Sequence, residues 1–260
     1  MGAGAEVTGA VHGRTALVTG AGNGLGRTIA LELAAAGSRV VLVGRTRAKL
    51  DVVAAEIGEA ARVEVADTAS EESVRALGAA LSGEEVSILI NNAGIAGPVA
   101  SLTSVALTEW DEVFAVNVRG VFLMCREFLP PMLARGSGDV VNLASVSGKR
   151  PLAGRTPFTA SKLAVIGLTT TLAHEVGPFG VSVNTLSPGP VDGPRMQRNF
   201  AREAERTGRS YAEAEEEFVS RSALRRMVTE QEVGRAVIAM LGMPGLCGAD
   251  IDLSAGMIAR

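Results

Sequence analysis

The chain has 260 residues, with 25 basic and 28 acidic side chains and a formal charge of −3, so it lacks the broad positive field that nucleic acid requires of a partner. Apolar residues make up 47% of it and aromatics 3%. A large core must therefore be packed from Ala, Val, Leu and Ile, which is the composition of buried parallel strands covered by helices. Cys125 and Cys247 lie far apart in a chain with no secretory context, which gives a metal site or disulfide framework no support, and both are read as buried free thiols. Residues 1–13 read as a flexible tail without the layout of a signal peptide, and no apolar run reaches membrane-spanning length. A soluble, cytoplasmic protein is expected, with no membrane partner.

A first β-branched run, 15–19, leads into T-G-A-G-N-G-L-G, Thr19 to Gly26, and then into a helical pattern over 24–36 that Gly37 stops. Strand, glycine turn and helix in this order aim unpaired backbone N–H groups at a pyrophosphate. Gly20, Gly24 and Gly26 are the spine of the turn, and Thr19, Gly22, Asn23 and Leu25 complete it. A second strand, 39–43, ends at Gly44-Arg45. A carboxylate there would pair with a ribose 2′-hydroxyl and repel a 2′-phosphate. None is present, and the Arg45 guanidinium suits a phosphate, with Arg47 near enough to share the role. NADP(H) is therefore favoured over NAD(H).

Further along, a helix over 46–57 stopped by Gly58 precedes a strand at 61–65, Asp67 and a helix over 71–80. A fourth strand, 87–91, runs into Asn91-Asn92-Ala93-Gly94, and one long helix over 109–133 carries Asn117. Strand 139–143 leads to Ser145, helix 157–176 carries Phe158 and Lys162, and strand 181–186 ends in Pro188-Gly189-Pro190-Val191. A polar, charge-rich segment, 195–226, falls outside the alternation. It reads either as a lid over the strand ends, where ligands bind in such sheets, or as a solvated helical excursion. A helix over 229–241, with Thr229 and Glu232 at capping-box spacing, and a strand at 250–253 close the chain. Seven strands alternating with helices imply right-handed crossovers and one doubly wound α/β domain with a parallel sheet over 14–260.

The glycine turn, the N-N-A-G segment after the fourth strand and Pro188-Gly189 after the sixth occur in order, and with them the chain resembles the short-chain dehydrogenase/reductase family over nearly its whole length. The resemblance implies a Rossmann-type oxidoreductase that interconverts a secondary alcohol and a ketone. It assigns cofactor contacts to the turn residues, Arg45, Asp67 at the adenine, Asn92, Ala93, Gly94, Lys162, Pro188, Gly189 and Val191. It also implies a homotetramer built through helices such as 157–176, whose Ala160, Ala164 and Gly167 permit close packing.

Asn117, Ser145 and Lys162 match three members of the family's catalytic set. The fourth is changed. The family's Y-x-x-x-K stands here as Phe158-Thr159-Ala160-Ser161-Lys162, thirteen residues after Ser145 in the family's usual spacing. Residues four apart share a helix face, so the ring is kept and the proton is lost. A positioned acid typically contributes about 10²–10⁴-fold, so slow reduction with intact cofactor binding is expected. A water held by Lys162 and Ser145, or Tyr211, the only tyrosine, offers a substitute donor. Two explanations of Phe158 stay open: an acid removed by engineering, or a native residue in a non-redox protein that binds NADP(H). Gly193 replaces a Thr that the family often carries. Lys149, Arg150 and Arg155 read either as an attraction for an acidic substrate group or as a solvated or subunit-contacting loop. His12 and His174 read as surface or interface residues and not as catalytic ones.

Overall fold

Seven short runs rich in Val, Ile, Leu and Ala become the strands of one sheet in the computed structural model, which describes residues 9–258. They are β1 (Thr15–Thr19), β2 (Arg39–Gly44), β3 (Ala61–Val65), β4 (Val86–Asn91), β5 (Gly138–Leu143), β6 (Val181–Pro188) and β7 (Asp250–Leu253). All pair in parallel, in the order β3-β2-β1-β4-β5-β6-β7. β1 and β4 are buried at every residue because helices cover both faces. The winding reverses between these two strands, which opens a crevice at their C-terminal ends.

The helices are α1 (Gly24–Ala35), α2 (Arg47–Ile57), α3 (Glu71–Ala80), α4 (Leu107–Phe114), α5 (Gly120–Arg135), α6 (Thr156–Val176), α7 (Pro194–Thr207), α8 (Tyr211–Val219) and α9 (Glu230–Leu241). Side chains alternate along each strand, so the sheet feeds two cores. On one face Ala16, Val18, Leu42 and Ile90 meet Ile29 and Leu33 of α1, Leu50 of α2 and Val237 of α9. On the other, Leu17, Val41 and Leu89 meet Val74 of α3, Met124 and Phe128 of α5 and Val165 of α6.

Three features differ from the sequence reading. Val11 is fully buried and its carbonyl accepts a 2.8 Å bond from Ser38 Oγ, so the packed chain begins ahead of residue 14; residues 1–8 of the expected tail lie outside the described residues. The helix expected over 109–133 is two helices joined by a π-helical turn, Ala115–Arg119, an extra-residue insertion that an apolar pattern does not register. Cys125 is buried, and burial pushes its thiol up to about 12, whereas Cys247 is exposed. The polar segment 195–226, read as helical and outside the sheet, carries α7 and α8, with Met196, Phe200 and Val219 packed on Met227 just beyond it. Tyr211 lies edge-on to Phe200 at 5.9 Å. Partial desolvation, helped by Glu215 and Asp192, holds its phenol above the ordinary tyrosine range.

At the start of α9 the expected capping box is formed: Glu232 N donates to Thr229 Oγ1 at 3.1 Å and Thr229 N to Glu232 Oε2 at 2.8 Å. Arg226 donates two further bonds to the same carboxylate, at 2.8 and 2.6 Å, and with the Thr229 N–H it pulls the carboxyl from 4.5 down to about 2. A carboxyl depressed on folding adds stability that is complete above its unfolded value and is lost as pH falls toward the folded one. Glu232→Gln is therefore expected to cost about 1 kcal/mol at pH 7, a modest figure because the pair is well exposed. Its deficit against the parent in urea melts should shrink between pH 4.5 and about 2.

Candidate active site

β1 ends in the glycine turn, and the geometry there leaves no room for side chains. A Cβ on Gly26 would stand 2.2 Å from the Gly20 carbonyl oxygen, and one on Gly20, at φ +66°, 2.9 Å from Asn92 Nδ2. Any larger residue would push the turn away from a ligand. The end of β4 locks onto this turn. Thr19 Oγ1 accepts bonds from Asn92 N at 2.9 Å and Ala93 N at 3.0 Å, and Asn92 Nδ2 donates to the Thr19 carbonyl at 2.9 Å. Leu25 packs into the core beneath, while Asn23 and Gly24 are exposed at the mouth of α1.

Beside the turn lies a cavity of about 250 Å³. Gly20, Gly22, Asn23, Arg45, Asp67, Ala93 and Gly94 line it, so the residues expected at the phosphate turn, the end of β2, the end of β3 and the end of β4 converge. Asp67 also accepts a 3.0 Å bond from Ala69 N, which fixes its loop. The cavity wall includes Thr46, Lys49, Thr68, Ile95 and Val116, which sequence reasoning does not single out. Lys49 is the consequential one. A Cβ on Gly22 would touch its Cβ at 3.0 Å, so the glycine turn packs against the lysine stem. Arg47, expected to share the role of Arg45, instead pairs with Asp51 at 3.2 Å along α2 and is absent from the wall.

The second group of residues gathers past Gly94. The π-helical turn carries Asn117, fully buried, whose Oδ1 accepts from Ile95 N at 2.8 Å while Nδ2 donates to the Ile95 carbonyl and to Ser161 Oγ, both at 3.0 Å. Such turns recur where a helix must aim one group. α6 is pinned to the sheet by a buried chain: Asn91 Nδ2 donates to Asn142 Oδ1 at 2.8 Å, and Asn142 Nδ2 to Thr169 Oγ1 at 2.9 Å. This anchorage sets Lys162, whose Nζ donates to the Leu143 carbonyl at 2.7 Å. A Cβ on Gly94 would stand 3.2 Å from Asn117 Oδ1 and 3.5 Å from Lys162 Nζ. The Phe158 ring centroid is 6.0 Å from Lys162 Nζ and 5.9 Å from Arg155 Cζ. Ser145 caps the short turn Val146–Gly148, and its Oγ accepts from Ser147 N at 3.1 Å, which leaves the hydroxyl proton to donate elsewhere.

Pro188, Gly189 and Val191 do not reach the cavity. They lie at the end of β6, where Gly189 N donates to the Leu253 carbonyl at 2.7 Å and Val191 pairs with Val228. Two of the three loop cations are also reassigned. Lys149 is held by Asp250, at 2.7 Å, and by Asp252, which ties the Ser145 loop to β7. Arg155 donates to the Gly97 carbonyl at 3.3 Å and the Pro98 carbonyl at 3.4 Å, bridging the loops after β4 and β5. His12 and His174 are exposed, as expected.

Comparison with known proteins agrees with this geometry. Residues 14–205 match the model for short chain dehydrogenases. The chain is 45% identical over 187 residues to galactitol 2-dehydrogenase (L-tagatose-forming) of Cereibacter sphaeroides, covering 70% of this chain and 72% of that protein. Among solved structures, an actinorhodin polyketide ketoreductase variant with NADPH superposes with a TM-score of 0.87 at 32% identity, covering 94% of this chain and 97% of the other. A 3-ketoacyl-(acyl-carrier-protein) reductase from Brucella melitensis complexed with NADH superposes at 0.83 and 32% identity, covering 95% and 99%. No helix among the described residues is long and apolar enough to cross a membrane.

Proposed function

The chain belongs to the short-chain dehydrogenase family of nicotinamide-dependent oxidoreductases acting on secondary alcohols and ketones, and within it we propose an NADP(H) enzyme slowed by Phe158. The observation that carries the cofactor choice is the start of α2. Arg45 precedes its first turn and Lys49 lies within that turn, both on the cavity wall. The turn holds no acidic residue, and Thr46 makes no side-chain cap bond. Cations at a helix N-terminus oppose the helix dipole, and an anion seated between them removes the conflict. A 2′-phosphate meets that requirement and a bare 2′-hydroxyl does not.

When bound, the nicotinamide supplies or accepts the hydride. The chain's own groups handle the substrate oxygen. Ser145 donates its hydroxyl proton to it, and Lys162, fixed through the Leu143 carbonyl, keeps a positive charge beside it. Asn117 braces the Gly94–Ile95 backbone under that point. Phe158 fills the place of the tyrosine acid and delivers no proton. The α7–α8 segment acts as a lid beyond β6. A homotetramer assembles through α6, where Leu163 is exposed and the space over Gly167 is open.

Titrating the full chain with NADPH and NADH tests the cofactor assignment. NADPH is expected to bind more tightly, and Arg45→Ala or Lys49→Ala to weaken it about ten- to a hundred-fold, the worth of one charge-assisted bond, with NADH nearly unchanged. Equal affinity of the parent for both would overturn it.

A further inference from the structure

We propose that Glu230 sets how tightly the dinucleotide is held, by placing a negative charge without a cationic partner among the described residues beside the mouth of the diphosphate cradle. The proposal rests on the cofactor reading only for the glycine turn as the diphosphate site, and is independent of the choice between NADP(H) and NAD(H).

Glu230 is the first residue of α9 and reaches across to α1, where its Oε2 accepts a bond from Thr28 Oγ1 at 3.0 Å. Its Oε1 is the atom that a side chain at either of two glycines would meet first. A Cβ on Gly24, in the glycine turn, would stand 3.8 Å from it, and one on Gly193, ahead of α7, 3.5 Å. The carboxylate therefore sits where the mouth of α1 meets the segment leading out of β6.

Two described cations from the neighbouring elements are engaged elsewhere. Arg27, the cation on the first turns of α1, is engaged by Glu56, and Arg226 is spent on Glu232. Among the described residues no ion pair is made by Glu230. The N-terminal N–H groups of α1 carry a partial positive charge, which is what the turn offers a diphosphate. A fixed carboxylate at that end opposes a second anion. Thr28 sits inside the packed contact of α1 with α9, so the charge cannot swing away without breaking that bond. The consequence is a cradle of correct shape whose grip is weakened by one fixed charge.

Glu230→Gln removes the charge and keeps an amide oxygen for Thr28. In fluorescence titrations of the full chain, this variant is expected to lower the Kd of NADPH and of NADH alike by about three- to ten-fold at low salt, the range for one like charge at a partly solvated distance. The gain should largely vanish at about 0.5 M salt, where the screening length is a few ångströms. Thr28→Val, which cuts the tie and lets the still-charged carboxylate swing outward, should give a smaller gain. Unchanged or weaker binding by Glu230→Gln, a gain insensitive to salt, or an equal gain in Thr28→Val would overturn the proposal. Tighter binding of both cofactors in a parent that does not prefer NADPH would overturn the 2′-phosphate reading and leave this one standing. A parent that binds neither dinucleotide would overturn both.

Discussion

Phe158→Tyr is expected to raise NADPH-dependent ketone reduction by about 10²–10⁴-fold, the usual contribution of one positioned proton donor. Everything the hydroxyl would need is already fixed. Lys162 Nζ lies 6.0 Å from the ring centroid and is anchored on the Leu143 carbonyl, and the Arg155 guanidinium stands 5.9 Å away, held by the Gly97 and Pro98 carbonyls. Two cations around a phenol favour its ionised form, which lowers its pKa toward the range in which it exchanges a proton at neutral pH. The gain should appear in kcat and leave KM nearly unchanged, because the hydroxyl acts chiefly in the transition state. Following NADPH absorbance over a panel of ketones with both chains checks this. No turnover in either chain with cofactor bound would sink the redox reading. Equal turnover in both would mean that the proton comes from another group, such as a water held by Ser145 and Lys162.

Lys149→Met is expected to destabilise the fold by about 3 kcal/mol, the lower end of the cost of breaking a buried ion pair. The lysine is nearly buried, at 9% side-chain exposure, and satisfies both Asp250 and Asp252. Asp250 also accepts a 2.7 Å bond from Ser187 Oγ, so removing the cation strands two carboxylates against β6 and β7. Urea melts at pH 7 measure the loss, and adding Asp250→Asn to Lys149→Met should return part of it. A loss below about 1 kcal/mol would show that the pair behaves as an ordinary surface bridge. Lys149 immediately follows the turn capped by Ser145, so the same variant should loosen that loop.

The fold was legible because its signals are local. Alternating apolar strands, glycines after helix ends and the Thr229–Glu232 box each lie within a few residues of the element they define, and β1, β3 and β7 begin and end where their sequences indicate. At the site, the glycine turn and Asn91 to Gly94 were legible for the same reason. What escaped depends on contacts across the chain. Lys49 looks like any solvated residue of an amphipathic helix until Gly22 is packed on its stem. Lys149 looks like a pocket cation until Asp250 and Asp252, a hundred residues later, arrive from β7. The π-helical turn around Asn117 leaves the apolar period almost untouched, and only the bonds to Ile95 and Ser161 reveal why it is there. Glu230 reads as a helix-opening acid and acquires meaning only beside Thr28.

The hairpin of α7 and α8 closes around Met196, Phe200, Val219 and Met227, apart from both faces of the sheet. Its residues can therefore be rewritten without disturbing the packing that holds the dinucleotide turn. Such an arrangement gives the segment after β6 a fold-within-the-fold, whose sequence answers to its own four-residue core and not to the helices that cover the sheet.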